Sequence, residues 1–201
     1  GLSPTRIGTI PPLLTPPVSA PRRYDGEPEF LFLGLLSLPH NDDGLQWFLR
    51  TTWPLVRDRL PRAHLRVIGR NPRRELLDLT DQFGASVSVD GYVPDLGDAL
   101  GRAAALINPL RFGSGAKLKD IEALGSAVPV VSTPIGAEGI ANGADTGVLV
   151  CSEPGDITEM LCSMTDPTRN AEVSSAARAH FLQKYSRQAV FEAYDAASTC
   201  P

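Results

Sequence analysis

From residue 29 onward the chain repeats one pattern: a short apolar run that stops at a glycine or polar turn, then an amphipathic stretch, then another run. Phe30-Leu31-Phe32-Leu33-Gly34 is the first run. It is continuous rather than alternating, as a strand covered on both faces of a parallel sheet requires. Further runs lie at 64–69, 87–89, 103–108, 128–132 and 147–150. Asn41-Asp42-Asp43 can cap a helix carrying Leu45, Phe48, Leu49, Thr52 and Trp53 at helical spacing. Helical patterns follow at 74–83, closed by Gly84, and at 96–100 and 115–125. Residues 154–165, 169–184 and 187–198 add three more. Strand and helix alternating through short loops predict an α/β fold, a Rossmann-like doubly wound parallel sheet of about six strands with helices on both faces.

Residues 1–28 differ. Pro4, Pro11, Pro12, Pro16, Pro17, Pro21 and Pro28 break any helical period, so this stretch reads as an extended tail or linker that packs on a domain or bridges two. Pro11-Pro12 and the apolar pair after them could add an edge strand. The first residue is Gly1, which suggests an excised or processed chain. Residues 29–185 form the expected domain, and 186–201 a C-terminal helix beyond it.

A formal net charge of −4 gives no basic footprint for nucleic acid. The arginines between Arg57 and Arg74 read as a solvated helix end and loop. Cys151, Cys162 and Cys200 have no metal-ligand spacing and read as free thiols in a reducing compartment. No apolar stretch is long enough to cross a bilayer, and the N-terminus lacks the features of a signal peptide.

In doubly wound sheets ligands bind beyond the carboxyl ends of the strands. After the first strand the loop runs Gly34-Leu35-Leu36-Ser37-Leu38-Pro39, without the dinucleotide glycine fingerprint, which argues against an NAD-dependent oxidoreductase. A Walker loop is absent as well. Gly113-Ser114-Gly115-Ala116-Lys117 is too short, and it follows the fourth strand. Its glycines would still let backbone approach a ligand, and Arg111 and Lys117 add positive charge beside an expected helix start. Glu122, about two turns into that helix, suits paired sugar hydroxyls better than phosphate. The spacing alone equally fits a glycine turn with surface charges.

The stretch from Pro109 to Leu124 (PLRFGSGAKLKDIEAL), followed by Pro129-Val130-Val131-Ser132-Thr133 and Gly136-Ala137-Glu138-Gly139, resembles the donor-binding core of the group 1, or family 4, glycosyltransferases of GT-B fold. Phe32-Leu33-Gly34, Asn41 to Phe48, Val67-Ile68-Gly69 and Gly91-Tyr92-Val93 with Asp95 agree in order, so the resemblance spans residues 30–185. It implies the C-terminal half of a two-domain, retaining enzyme that binds a UDP- or GDP-type sugar. The acceptor would be held by a missing N-terminal domain, toward which the 187–198 helix would cross. The isolated domain is then expected to be inactive. By resemblance Glu122 holds the ribose hydroxyls, the Tyr92-Val93 loop recognises the base, and Gly34 lies against the donor. Arg111, Gly113, Ser114, Gly115 and Lys117 face the diphosphate leaving group, so neither metal nor cofactor is expected.

The departures are specific. Ser114 stands where the family usually has a first glutamate, and Leu35 and the His40-Asn41 region stand where it has an Arg and a Lys. These changes resemble a subgroup with a G-S-G-x-K loop, in which basic loop residues take over. Glu138 could reach the donor or cap a turn; His40 could be a base or a loop histidine. Asp42, Asp43 and Asp90 read as cap and turn residues rather than metal ligands; His64 and His180 read as structural, and Trp47 and Trp53 as core. The expected location is cytoplasmic, or membrane-peripheral through the acceptor domain. A non-catalytic nucleotide-binding or scaffold module and a nucleotide-sugar epimerase of GT-B architecture are the alternatives.

Overall fold

A computed structural model describes residues 10–14, 22, 24–115, 117–140 and 142–198. Six strands form one parallel sheet: β1 (Glu29–Leu33), β2 (His64–Ile68), β3 (Val87–Val89), β4 (Ala105–Asn108), β5 (Val130–Ser132) and β6 (Val148–Val150). Their order is β3-β2-β1-β4-β5-β6, so the order of strand addition reverses between β1 and β4. This is the doubly wound Rossmann order read from the alternating pattern.

The helices are α1 (Pro39–Thr51), α2 (Trp53–Arg59), α3 (Arg74–Asp81), α4 (Gly97–Arg102), α5 (Leu118–Gly125), α6 (Pro154–Ser163), α7 (Pro167–Lys184) and α8 (Arg187–Ser198). The apolar residues of every strand but β3 are shared between two cores. Phe30, Phe32, Leu65, Val67 and Ile107 meet α1, α2, α3 and α6 on one face of the sheet. Leu31, Leu33, Leu106, Val130 and Val148 meet α4, α5 and α7 on the other. Trp53 is wholly buried against Phe30 and Phe48, and Trp47 packs at the edge of the same core.

Several expected boundaries are corrected. Asn41-Asp42-Asp43 do not cap α1, which opens at Pro39 and contains them. Proline at the first helical position already supplies the required φ and lacks the amide that a cap would satisfy. The helix expected at 115–125 starts only at Leu118, because Gly113 (φ 122°) and Gly115 (φ 78°) have left-handed backbone that no α-helix contains. Gly115 is therefore not at the helix start, and Glu122 sits just over one turn in. Residues 11–14 join no strand, two of them being prolines without ladder donors.

The tail is tied to the domain where it is described. Leu14 packs on the second core, and the Arg22 guanidinium donates to the carbonyls of Gly101, Ala103 and Ala127 and to Ser174 Oγ. The rest of the proline-rich segment, Ala116 of the glycine loop and Cys200 lie outside the described residues.

Candidate functional site

The crevice lies where β1, β2 and β3 end, beside the reversal of strand order. Gly34 and Gly69 close the ends of β1 and β2, and a Cβ on Gly69 would run into the Gly34 carbonyl, so only glycine allows the two chain ends to lie this close. Gly44 does the same for α1, where a Cβ would stand 2.6 Å from Pro109 O. Beyond β3 the chain turns at Gly91 (φ 61°) and presents Tyr92 and Val93. From the opposite side α5 presents Lys119 and Glu122. Together these walls enclose a cavity of about 300 Å³, lined by Gly34, Arg70, Tyr92, Val93, Lys119 and Glu122 among others.

Four expected residues thus meet in one cleft: Gly34, Tyr92, Val93 and Glu122. Glu122 is half-buried, and desolvation pushes its carboxyl above the usual range. Tyr92 is 68% exposed, and the Arg70 guanidinium lies 5.4 Å from its ring centre. The pair forms a flat polar and aromatic wall.

The remaining expected residues lie outside this cleft. Arg111 makes two hydrogen bonds to Asp43 (2.9 and 2.8 Å), and that carboxylate raises its pKa further. With Asp42, Trp47, Arg73 and Phe112 it lines a second depression of about 470 Å³ beside α1. Lys117 Nζ donates to Gly115 O, within its own loop. Gly113 approaches His40, Ser114 is exposed, and Glu138 is exposed without lining either depression. His40 lies in the first turn of α1 rather than in a loop, edge-on to Phe112. Its desolvation and the ammoniums of Lys119 and Lys117 hold its pKa low.

Sequence reading missed Lys119. Its ammonium end is buried, 4.6 Å from the centre of the Phe32 ring, and it donates to Asn41 Oδ1 at 3.3 Å. Asn41 is fixed in turn, since its Nδ2 donates to Leu35 O at 3.0 Å. Desolvation lowers the Lys119 pKa to about 8, opposed by Asp120 and reinforced by Lys117. A spacing of three residues to Glu122 was the available signal, because it places both side chains on one helix face.

Below the cleft Asn108, the last residue of β4, donates to Asp120 Oδ2 (2.6 Å) and to Gly136 O (3.1 Å). It thereby ties α5 to the loop after β5. The arginines of residues 57–74 are scattered rather than pooled. Arg59 pairs with Glu159, Arg62 with Glu27, Arg66 with Asp90, Arg73 with Asp42 and Arg74 with Asp78. Among the described residues no group of three or more His, Cys, Asp or Glu could hold a metal ion, and no helix is long and apolar enough to cross a membrane.

Comparisons with known proteins give a family and a fold. The model described as "Glycosyl transferases group 1" matches residues 27–166. An uncharacterized 44.6 kDa protein in the cps region of Klebsiella pneumoniae is 29% identical over 133 residues, which are 61% of this chain and 34% of that protein. Among solved structures, a variant of S. aureus TarM in complex with fondaparinux, alpha-GlcNAc-glycerol and UDP superposes with a TM-score of 0.78 at 17% identity, covering 96% of this chain and 39% of TarM. Anabaena HepE in complex with UDP and glucose gives 0.69 at 13% identity, covering 87% and 49%. At these identities the structural likeness is one of fold. The chain spans about a third of the curated relative and less than half of either solved structure.

Proposed function

The chain belongs to the glycosyl transferases group 1 family, and from that membership we propose that it is the nucleotide-sugar-binding domain of a glycosyltransferase. The observation that carries this reading is the cleft itself. Gly34, Tyr92, Val93 and Glu122 are far apart in sequence, yet all line one cavity beyond the carboxyl ends of the strands. Nucleotide ligands in the HepE and TarM structures support it.

Within the cleft Glu122 accepts two hydrogen bonds from the ribose diol, a task suited to a half-buried carboxylate at a helix face. The base lies along the Arg70–Tyr92 wall and Val93. Gly34 lets the sugar or phosphate approach the backbone without a Cβ in the way. Transfer would use an acceptor held by a second domain of similar size, to which Phe191 and Tyr194 on α8, each about half exposed, offer an apolar surface. No step of this reading requires a metal.

The test is a calorimetric titration of UDP-, GDP-, ADP- and dTDP-sugars into the chain and its Glu122→Ala variant. One nucleotide should bind best, and Glu122→Ala should weaken it by about tenfold or more, the equivalent of a charge-assisted hydrogen-bond pair. An unchanged affinity in Glu122→Ala, or no binding by any nucleotide, would overturn the assignment.

A further inference from the structure

We infer that Lys119 is the cation that holds the donor's diphosphate. The inference rests on the donor-cleft reading above and assigns that cleft a charge that neither Arg111 nor Lys117 supplies.

Two other cations near the cleft make hydrogen bonds of their own, and the third, Arg70, stands at the rim on the Tyr92 ring while Lys119 stands deeper on the Phe32 ring. Arg111 is bound by both oxygens of Asp43, Lys117 bonds its own loop, and Arg70 lies over Tyr92. Lys119 has three donors and one hydrogen-bond acceptor among the described residues, Asn41 Oδ1 at a long 3.3 Å. Among the described residues no carboxylate forms an ion pair with it, although its ammonium is desolvated and the residue lines the cavity. With one N–H on Asn41 and the Phe32 ring 4.6 Å away, this desolvated ammonium still has donor capacity for an anion.

Asn41 sets the aim. Its Nδ2 is committed to Leu35 O, so its Oδ1 alone is left to face Lys119. The loop after β1 thus orients a lysine arriving from α5. The spacing also fits the ligand. Lys119 and Glu122 are neighbours on one helix face, separated by about 5–6 Å at Cβ. In a nucleotide the diphosphate leaves C5′ of the same ribose whose 2′ and 3′ hydroxyls meet the carboxylate. One sugar ring therefore spans the distance between the two side chains.

The test compares UDP, GDP, ADP and dTDP with their parent nucleosides, titrated into the full 201-residue chain. The best diphosphate should bind at least about tenfold more tightly than its nucleoside. Lys119→Met should reduce that preference by about tenfold while leaving nucleoside affinity within twofold; Lys119→Arg should retain most of it. A preference unchanged in Lys119→Met overturns the inference. So does a parallel loss of nucleoside and diphosphate binding in both Lys119→Met and Lys119→Gln, which would mark a packing role. If nucleosides bind but Glu122→Ala does not weaken them, the donor-cleft reading fails instead. Absence of binding by every nucleoside and diphosphate overturns both.

Discussion

Asp120 is wholly buried, with Oδ2 bonded by Asn108 and Oδ1 lacking a hydrogen-bond partner in the structure. Desolvation raises its pKa to about 7, against smaller opposite pulls from Lys119, Asn108 and Lys117. The unfolded chain releases that proton near 3.8, so between the two values the native state binds more protons and stability falls as pH rises. The cost is complete above about pH 7. Asp120→Asn keeps an acceptor for Asn108 and abolishes the titration. It should match the parent in urea unfolding near pH 4 and exceed it by about 1–3 kcal/mol above pH 7.5. A difference independent of pH would refute this account. Lys119 next door has the opposite proton chemistry. With a pKa near 8 it is about half neutral at pH 8, flanked by Asp120, Lys117, His40 and Glu122. An arriving diphosphate favours the charged form, so binding at pH 8 should take up about half a proton, as read from calorimetry in buffers of different ionisation enthalpy. Uptake should vanish in Lys119→Met. Neither residue was singled out from sequence, because burial at a helix start depends on where the preceding loop delivers the chain.

Elements were easier to read than their ends. Strands covered on both faces announce themselves as apolar runs; β2 through β6 lie within the stretches picked out this way, and β1 starts one residue before its run. Helix starts depended on φ values that sequence does not print. Gly113 and Gly115 read as a phosphate cradle leading straight into a helix; their positive φ instead delays α5 to Leu118, and Lys117 Nζ bonds back to the Gly115 carbonyl. The cleft depends on the close approach of β1 and β2 at their carboxyl ends, where Gly69 meets the Gly34 carbonyl and Leu36. Gly69→Ala must push that backbone apart. Overpacking of this kind costs about 1–3 kcal/mol, and here the displaced strand end is a wall of the cleft. The variant should unfold at lower urea and lose nucleotide affinity together. Gly91→Ala is the contrast: its Cβ meets nothing within 4 Å, so only its φ of 61° is strained and the loss should be smaller. Equal effects of the two substitutions would show that the Gly34–Gly69 contact does not shape the site.

At the scale of the whole molecule Arg22, ahead of β1, ties the far side of the fold together. Composition marked the residues before β1 as a linker, since prolines exclude helix and weaken any strand, yet composition says nothing about where a single arginine lands. Arg22 reaches the end of α4 through Gly101 and Ala103, the turn before β5 through Ala127, and α7 through Ser174. Three pieces of chain that are distant in sequence therefore share one guanidinium, whose planar fork suits several carbonyls at once. Desolvation lowers its pKa to about 10, which leaves it charged at neutral pH. A buried cation satisfied by neutral carbonyls is stabilising only while every bond holds, because removing the donor strands the acceptors. Arg22→Ala should lower stability by about 2–4 kcal/mol, and Arg22→Lys should restore little of it, since one ammonium cannot span the same set of carbonyls. Neither change touches the cleft, so nucleotide affinity measured well below the melting temperature should stay within twofold of the parent. Loss of binding without loss of stability would mean that the tail acts on the cleft itself, and the separation argued between the clamp and the donor site would fall.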